Sequence, residues 1–256
     1  MEITNFIRKA FVIAELEVRK IFHDPTEIIM RSVQPALWLL IFGQVFAKMH
    51  ALPGKTDYID FMTPGILAQS VLFVSIFSGI AVIWERDLGL VHKLLATPTP
   101  HAAIVLGKAI SAGLRTLPIA VIIYILALLL NVKILWNPLN LLSVFIVVML
   151  GAIFFSTFSL IIACLVKTRE RFMGIGQLMT MPLFFASNAI YPIEIMPGWL
   201  KMIAQVNPLT YMVDALRTLM IGNVSGFSLT IDIVILLVIS TIFVAIGGSL
   251  YSKVIT

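Results

Sequence analysis

Pro53-Gly54-Lys55-Thr56 ends like a loop whose backbone N–H groups cradle phosphates and whose lysine reaches the terminal phosphate. That chemistry needs a glycine five residues before the second glycine, and Met49 stands there. Gly107-Lys108 fails in the same way, with Ala102 in the required place. Neither segment can hold a nucleotide. The single cysteine, Cys164, sits in an apolar run, and His23, His50, His92 and His101 are scattered. No serine, histidine and carboxylate group together, and no spacing suits a metal. The sequence therefore offers no catalytic residue and no metal site. Asn223-Val224-Ser225 has the form of a glycosylation acceptor, a match that arises often by chance.

Two charged segments carry more information. Glu85-Arg86-Asp87 opens a stretch that continues through Leu88, Val91, Lys93, Leu94 and Leu95 to Pro98 and Pro100. Leu88, Val91, Leu94 and Leu95 can share one helical face, and the prolines stop the helix. Such a helix can dock on a soluble partner, or simply rest on lipid headgroups. Glu85 at its start is favoured by the helix dipole and can reach a basic group on a partner. Its loss is expected to weaken coupling and to leave membrane abundance near normal. Lys167-Thr168-Arg169-Glu170-Arg171 is a second, tight charged turn. Further along, Pro192, Pro197 and Pro208 break a partly apolar segment over 190–221. On a helix Asp214 and Arg217 share a face and can pair.

The elements that position these residues follow from composition. Hydrophobic residues make up 60% of the 256-residue chain and charged residues 12%, against about 25% charge in soluble domains. The mean hydropathy is +1.04. Lipid is the solvent that suits such a chain, which reads as an all-α integral membrane protein. Ile3, Ile7, Ala10, Ala14, Val18 and Ile21 recur at helical spacing and predict an amphipathic helix over 1–24 at the membrane surface, ended by Asp24-Pro25. It is not a signal peptide, because charges interrupt it throughout. Six spans are expected, over 28–47, 63–84, 109–130, 139–166, 172–189 and 233–252, with Pro35 as a kink point in the first. The segment 48–60 is read as a polar loop and 85–108 as the longest charged connection between spans, and the apolar pieces of 190–221 are too short to cross, which suits re-entrant or interfacial helices.

Six spans put both termini on one side. The lysines and arginines of 8–31, 86–108 and 167–171, with Lys253, share that side. Lys48, Lys55, Lys133, Lys201 and Arg217 fall on the other. Positive loops stay in the cytoplasm, so both termini are expected inside. The net charge of +5 reflects that anchoring rather than nucleic-acid binding.

Together these segments resemble the ABC-2 type family of exporter permeases over nearly the whole chain. Glu85-Arg86, then Leu94-Leu95-Ala96-Thr97-Pro98 and Gly107-Lys108, resemble that family's coupling region. Pro192, Pro197-Gly198-Trp199-Leu200, Asn207-Pro208-Leu209-Thr210-Tyr211 and Asp214-Ala215-Leu216-Arg217 resemble its pattern before the last span. Size and termini look most like the small drug-resistance-type permeases. The resemblance implies an N-terminal connecting helix over 1–24, a six-span domain over 25–256 with a cytoplasmic coupling helix, and two re-entrant helices. It implies a homodimer, or a heterodimer with a similar permease, bound to two copies of a separate ATPase in a prokaryotic inner membrane. ATP and Mg would lie on the ATPase, and no cofactor on this chain. The substrate implied is amphiphilic, drug-like or lipid-linked. By the same resemblance, Glu85, Arg86, Leu88, Val91, Lys93 and Leu94 are candidates for ATPase coupling. Gln69, Ser70, Ser75, Ser78, Gln177, Thr180, Phe184 and Phe185 are candidates for the path, although small polar residues also pack helix against helix. Pro192, Pro197, Asn207, Pro208, Tyr211, Asp214 and Arg217 are candidates for an outer gate. The rivals are a carrier driven by an ion gradient, which commonly has ionisable groups within its spans, and a structural assembly factor.

Overall fold

The computed structural model describes residues 2–23, 26–48, 57–97, 99–222, 226 and 228–254. Asp24-Pro25, Pro53 to Thr56, Pro98 and Asn223 to Ser225 lie outside them, as do the side chains of Ile3, Val18, Ile21 and Leu95. Among the described residues the fold is helical throughout, without strands.

Among the described residues, five helical runs are long and apolar enough to cross a membrane: Ile28–Lys48, Tyr58–Asp87, His101–Leu129, Pro138–Leu165 and Leu229–Leu250. In lipid every backbone group must bond within its own segment, which is why long apolar runs become helices. The first run comprises α2 (Thr26–Leu37), a π-helical stretch Trp38–Gly43 and α3 (Gln44–Lys48). Pro35 lies inside α2 and lacks the N–H of a regular ladder, and the widened turns follow it directly. The second run is α4 (Tyr58–Ser78) and α5 (Ile80–Asp87), parted at Gly79. After the short α6 (Leu90–Leu95) come α7 (His101–Leu129) and α8 (Pro138–Leu165). Asn137 caps α8 by accepting the Leu139 N–H at 3.0 Å, with Pro138 in the first turn.

The charged connection expected over 85–108 is shorter than its composition suggested. Glu85 ends inside α5 and Lys108 lies in the second turn of α7, so only 88–100 connects the helices. The two charges neutralise one another, which lets both helices extend past them.

The expected span over 172–189 takes the form of α9 (Arg169–Phe185), 17 residues long and opening with Arg169, Glu170 and Arg171. Its apolar part rises only about 21 Å at ~1.5 Å per residue. Yet the chain runs the length of α4 and α5. Arg169 pairs with Asp87 at one end, and Tyr58 donates to the Ile190 carbonyl at the other, at 3.0 Å. Gly65 makes the close passage workable, since a Cβ there would meet the Ala189 carbonyl oxygen at 2.2 Å. Two short helices follow, α10 (Gly198–Val206) and α11 (Pro208–Ile221), before α12 (Leu229–Leu250).

The amphipathic helix α1 (Glu2–His23) packs along α7. Ala10, Ile13 and Ala14 are buried there, while Phe11, Val12 and Leu16 are exposed. A Cβ on Gly107 would meet the Ala10 carbonyl oxygen at 2.6 Å, so only glycine admits this approach. Ile13 shares a cluster with Ile83, Val91, Val105, Phe172 and Tyr251. Both described ends of the chain therefore sit at the α6 end of the bundle. The larger core joins α4, α7, α8, α11 and α12, with α4 the most enclosed span.

Candidate functional site

The α6 end is held by charge. Lys108 Nζ lies 2.5 Å from Glu85 Oε2, and both side chains are less than 10% exposed. Glu85 thus faces a lysine of its own chain. Arg86 donates to the carbonyls of Val166 at 3.2 Å and Lys167 at 2.6 Å, satisfying the end of α8 where intrahelical donors run out. Asp87 receives Arg169 at 2.8 Å, and that guanidinium stacks 3.7 Å over the Trp84 ring. Asp87 and Arg169 are 82 residues apart in sequence. The sign alternation of 85–87 against 167–171 was the available signal, but it did not identify which charges would meet.

On this base Gly89 adopts φ +72°, a left-handed turn that glycine makes without a Cβ penalty, and α6 folds back. Val91 is fully buried and Leu94 partly so, within the cluster of Ile83, Ile104 and Phe172. Leu88, placed on the same face in the sequence reading, instead projects at 69% exposure, and Lys93 is exposed. The end presents an apolar knob on a firmly anchored helix.

The path residues separate. Gln69 and Ser70 line an open cleft of about 320 Å³ between α2 and α4, with Arg31, Gln34, Phe73 and Phe77. Ser75, Thr180 and Phe184 are enclosed in helix packing; Thr180 donates to the Gly176 carbonyl, and Phe184 meets Trp38 edge-on. Ser78 contacts Ser156 of α8 at 3.0 Å. Gln177 and Phe185 are exposed on the outer face of α9.

At the opposite end, Asn207 caps α11 by accepting the Leu209 N–H, and its amide donates to the carbonyls of Leu183 and Ala186. It clips the start of α11 to the end of α9. Tyr211 donates to the Gln205 carbonyl. Pro197 and Pro208 immediately precede or open helices, and Pro192 precedes the turn Ile193–Ile195. Asp214 and Arg217 do not meet as expected: among the described residues no ion pair joins them. Asp214 accepts the Gly226 N–H at 3.2 Å. Arg217 is 2% exposed, donates to the Asn188 carbonyl at 2.7 Å and lies 3.8 Å over the Phe61 ring. Each charge has its own partners because α11 is enclosed on nearly every side. Near this end Asp57 accepts from Lys133 at 3.1 Å and holds that ammonium above its ordinary range.

The family described as ABC-2 type transporter matches residues 8–221. The chain is 28% identical to a putative transport permease ycf38 of Cyanophora paradoxa, over 98% of this chain and 90% of that protein. It is 25% identical to the daunorubicin resistance ABC transporter permease protein DrrB1 of Streptomyces coeruleorubidus, over 89% and 79%. It is also 25% identical to nodulation protein J of Rhizobium meliloti, over 77% and 74%.

Proposed function

Because the chain belongs to the ABC-2 type transporter family, matched over residues 8–221, we propose that it is the membrane subunit of an ATP-driven exporter. It moves an amphiphilic, drug-like or lipid-linked compound out of the cytoplasm. The daunorubicin-resistance relative supports the drug-like class. The permease pairs with itself or a similar chain and binds two copies of a separate ATPase, which carry ATP and Mg. In this reading α9 with residues 186–190 makes the sixth crossing, and α10 and α11 re-enter the membrane as an outer closure. The α6 end faces the cytoplasm of a prokaryotic inner membrane.

The observation that carries the mechanism is the anchoring of the end of α5, from which α6 folds back. Force on α6 reaches α5 and α7 through Glu85–Lys108, α8 through Arg86, and α9 through Asp87–Arg169. ATPase closure pushes Leu88 and its helix, and the spans move together. Leu88→Asp should leave membrane abundance unchanged, since the side chain is exposed, and should abolish recovery of the ATPase with the permease. The pure permease should not hydrolyse ATP. Unchanged recovery from Leu88→Asp would remove the turn between α5 and α6 as the docking element, and hydrolysis by the pure permease would defeat the division of labour.

Orientation is checked by labelling. In a Cys164-replaced chain, an impermeant thiol reagent on intact cells should modify a cysteine at Lys201 and spare one at Lys93. The reverse pattern would invert the topology.

One observation favours the ion-driven rival. Asp232 in α12 is fully buried, and among the described residues neither carboxylate oxygen has a hydrogen-bond partner. Collapsing the proton gradient with ATP held constant separates the readings, because an ATP-driven exporter keeps its rate and a carrier stops.

A further inference from the structure

We propose that Asp232 is a proton-binding site, whose neutral carboxyl lets α12 pack against α11 at the end opposite α6. The chemistry rests on the packing alone, and its place at an outer closure rests on the exporter reading. One face of α12 is exposed and the other is not. Ile231, Val234, Leu237 and Val238 are exposed, while Asp232, Leu236 and Ser240 recur every four residues and are buried. Asp232 therefore lies on the inward stripe. Ser240, two turns on, satisfies its hydroxyl by donating to the Leu236 carbonyl at 2.6 Å. Asp232 has no such bond.

An ionised carboxylate needs donors, and a buried charge without them neutralises instead. Asp232 is 0% exposed, and among the described residues both of its oxygens lack a donor. Its place in the first turn of α12 favours an anion through the helix dipole. Yet no N–H of that turn bonds the carboxyl, and the desolvation of a buried ion exceeds the dipole's contribution. The neighbours add to the cost. α12 packs against α11, α8 and α7. From α11, Asp214 acts on Asp232 as a second acidic group, and two carboxyls in one buried region resist ionising together. Arg217 of α11 is engaged with Phe61 and Asn188. α8 carries no charged residue, and its Cys164 lies near the α6 end. On α7, His101, Lys108 and Arg115 lie in the half nearer α6, and Tyr124 packs edge-on to Trp136. A metal cation in place of the proton would need several ligands, and among the described residues no three acidic, histidine or cysteine side chains gather to hold one.

Infrared spectra of the full-length permease in lipid nanodiscs, near neutral pH, should show the carbonyl stretch of a protonated carboxyl. Asp232→Asn and Asp232→Leu, which carry no charge at this position, should both lack that band. The folding equilibrium gives a second readout. Above about pH 5 an unfolded aspartate has released its proton to water, whereas the folded protein keeps it. Stability of the parent should therefore fall, relative to either variant, by up to about tenfold in the folding equilibrium per unit rise in pH. Exchanging sodium for choline at fixed pH should change nothing. A band that survives in both variants, a parent without the band, parallel pH profiles, or a parent that follows sodium would each overturn the assignment. The measurements need no ATPase. Parallel profiles beside an intact ATPase complex would defeat this inference alone, and a proton held by a permease that recovers no ATPase would defeat the exporter reading alone.

Discussion

Lys108→Ala should lose about 3–5 kcal/mol of stability, the cost of leaving a buried charge without its partner. Glu85 would remain less than 10% exposed beside an empty space. Glu85→Ala should lose a similar amount, with the ammonium now deprived of that carboxylate. The informative variant is Glu85→Leu with Lys108→Leu. Buried ion pairs are often replaced by apolar residues at no net cost, because the desolvation of both charges disappears with them. The double variant should therefore return to near the parent's midpoint of thermal unfolding in detergent and to its membrane abundance. On the exporter reading, the double variant should nevertheless lose nucleotide-dependent coupling to the ATPase, since the ion pair between α5 and α7 is gone. Additive losses in the double variant would show that the two groups act independently.

Arg217→Ala should be nearly as damaging. The change removes a desolvated cation from the face of Phe61, worth about 2 kcal/mol, and a charged hydrogen bond worth about 1.5–3 kcal/mol. It also leaves the Asn188 carbonyl without that donor. Arg217→Lys should not restore the loss, because a lysine cannot stack on the ring and bond the carbonyl at once. Exchange of Asp214 and Arg217 should also fail, since their partners are Gly226 on one side and Phe61 with Asn188 on the other. Membrane abundance and thermal midpoint read all three variants. Recovery in the exchanged protein would restore the direct pair that the sequence suggested.

The legible part of the fold is the part governed by one local variable. Pro138–Leu165 has no charge, and α8 lies within one residue of its expected span. The expected breaks at Pro197 and Pro208 are helix starts for the reason proline always offers, a missing N–H where none is needed. The ends of α5 and α7 were not legible, because a charge in a sequence looks solvated until its partner is known. Glu85 and Lys108 are 23 residues apart, and only the packing of two helices brings them together. The separation of Asp214 from Arg217 has the same origin. Spacing permitted a pair, and tertiary partners that spacing cannot reveal took both groups. Among the path candidates, Gln69 and Ser70 reach the cleft while Ser75 and Thr180 are spent on packing, a division set by which face of each helix meets a neighbour.

The clasp of α1 on α7 imposes an order on biogenesis. The groove at Gly107 that receives Ala10 and Ile13 leaves the ribosome after α1. At ~5–20 residues per second, the roughly 90 residues between them take about 5–20 s to synthesise. Throughout that interval α1 has no protein surface on which to set its apolar stripe. Its amphipathic sequence gives it a waiting place, because it can lie among the lipid headgroups until α7 is threaded. The lipid surface then acts as a temporary chaperone for the first helix made, and insertion of α7 releases it. A residue larger than glycine at position 107 would strand α1 in that waiting state while every span still inserted.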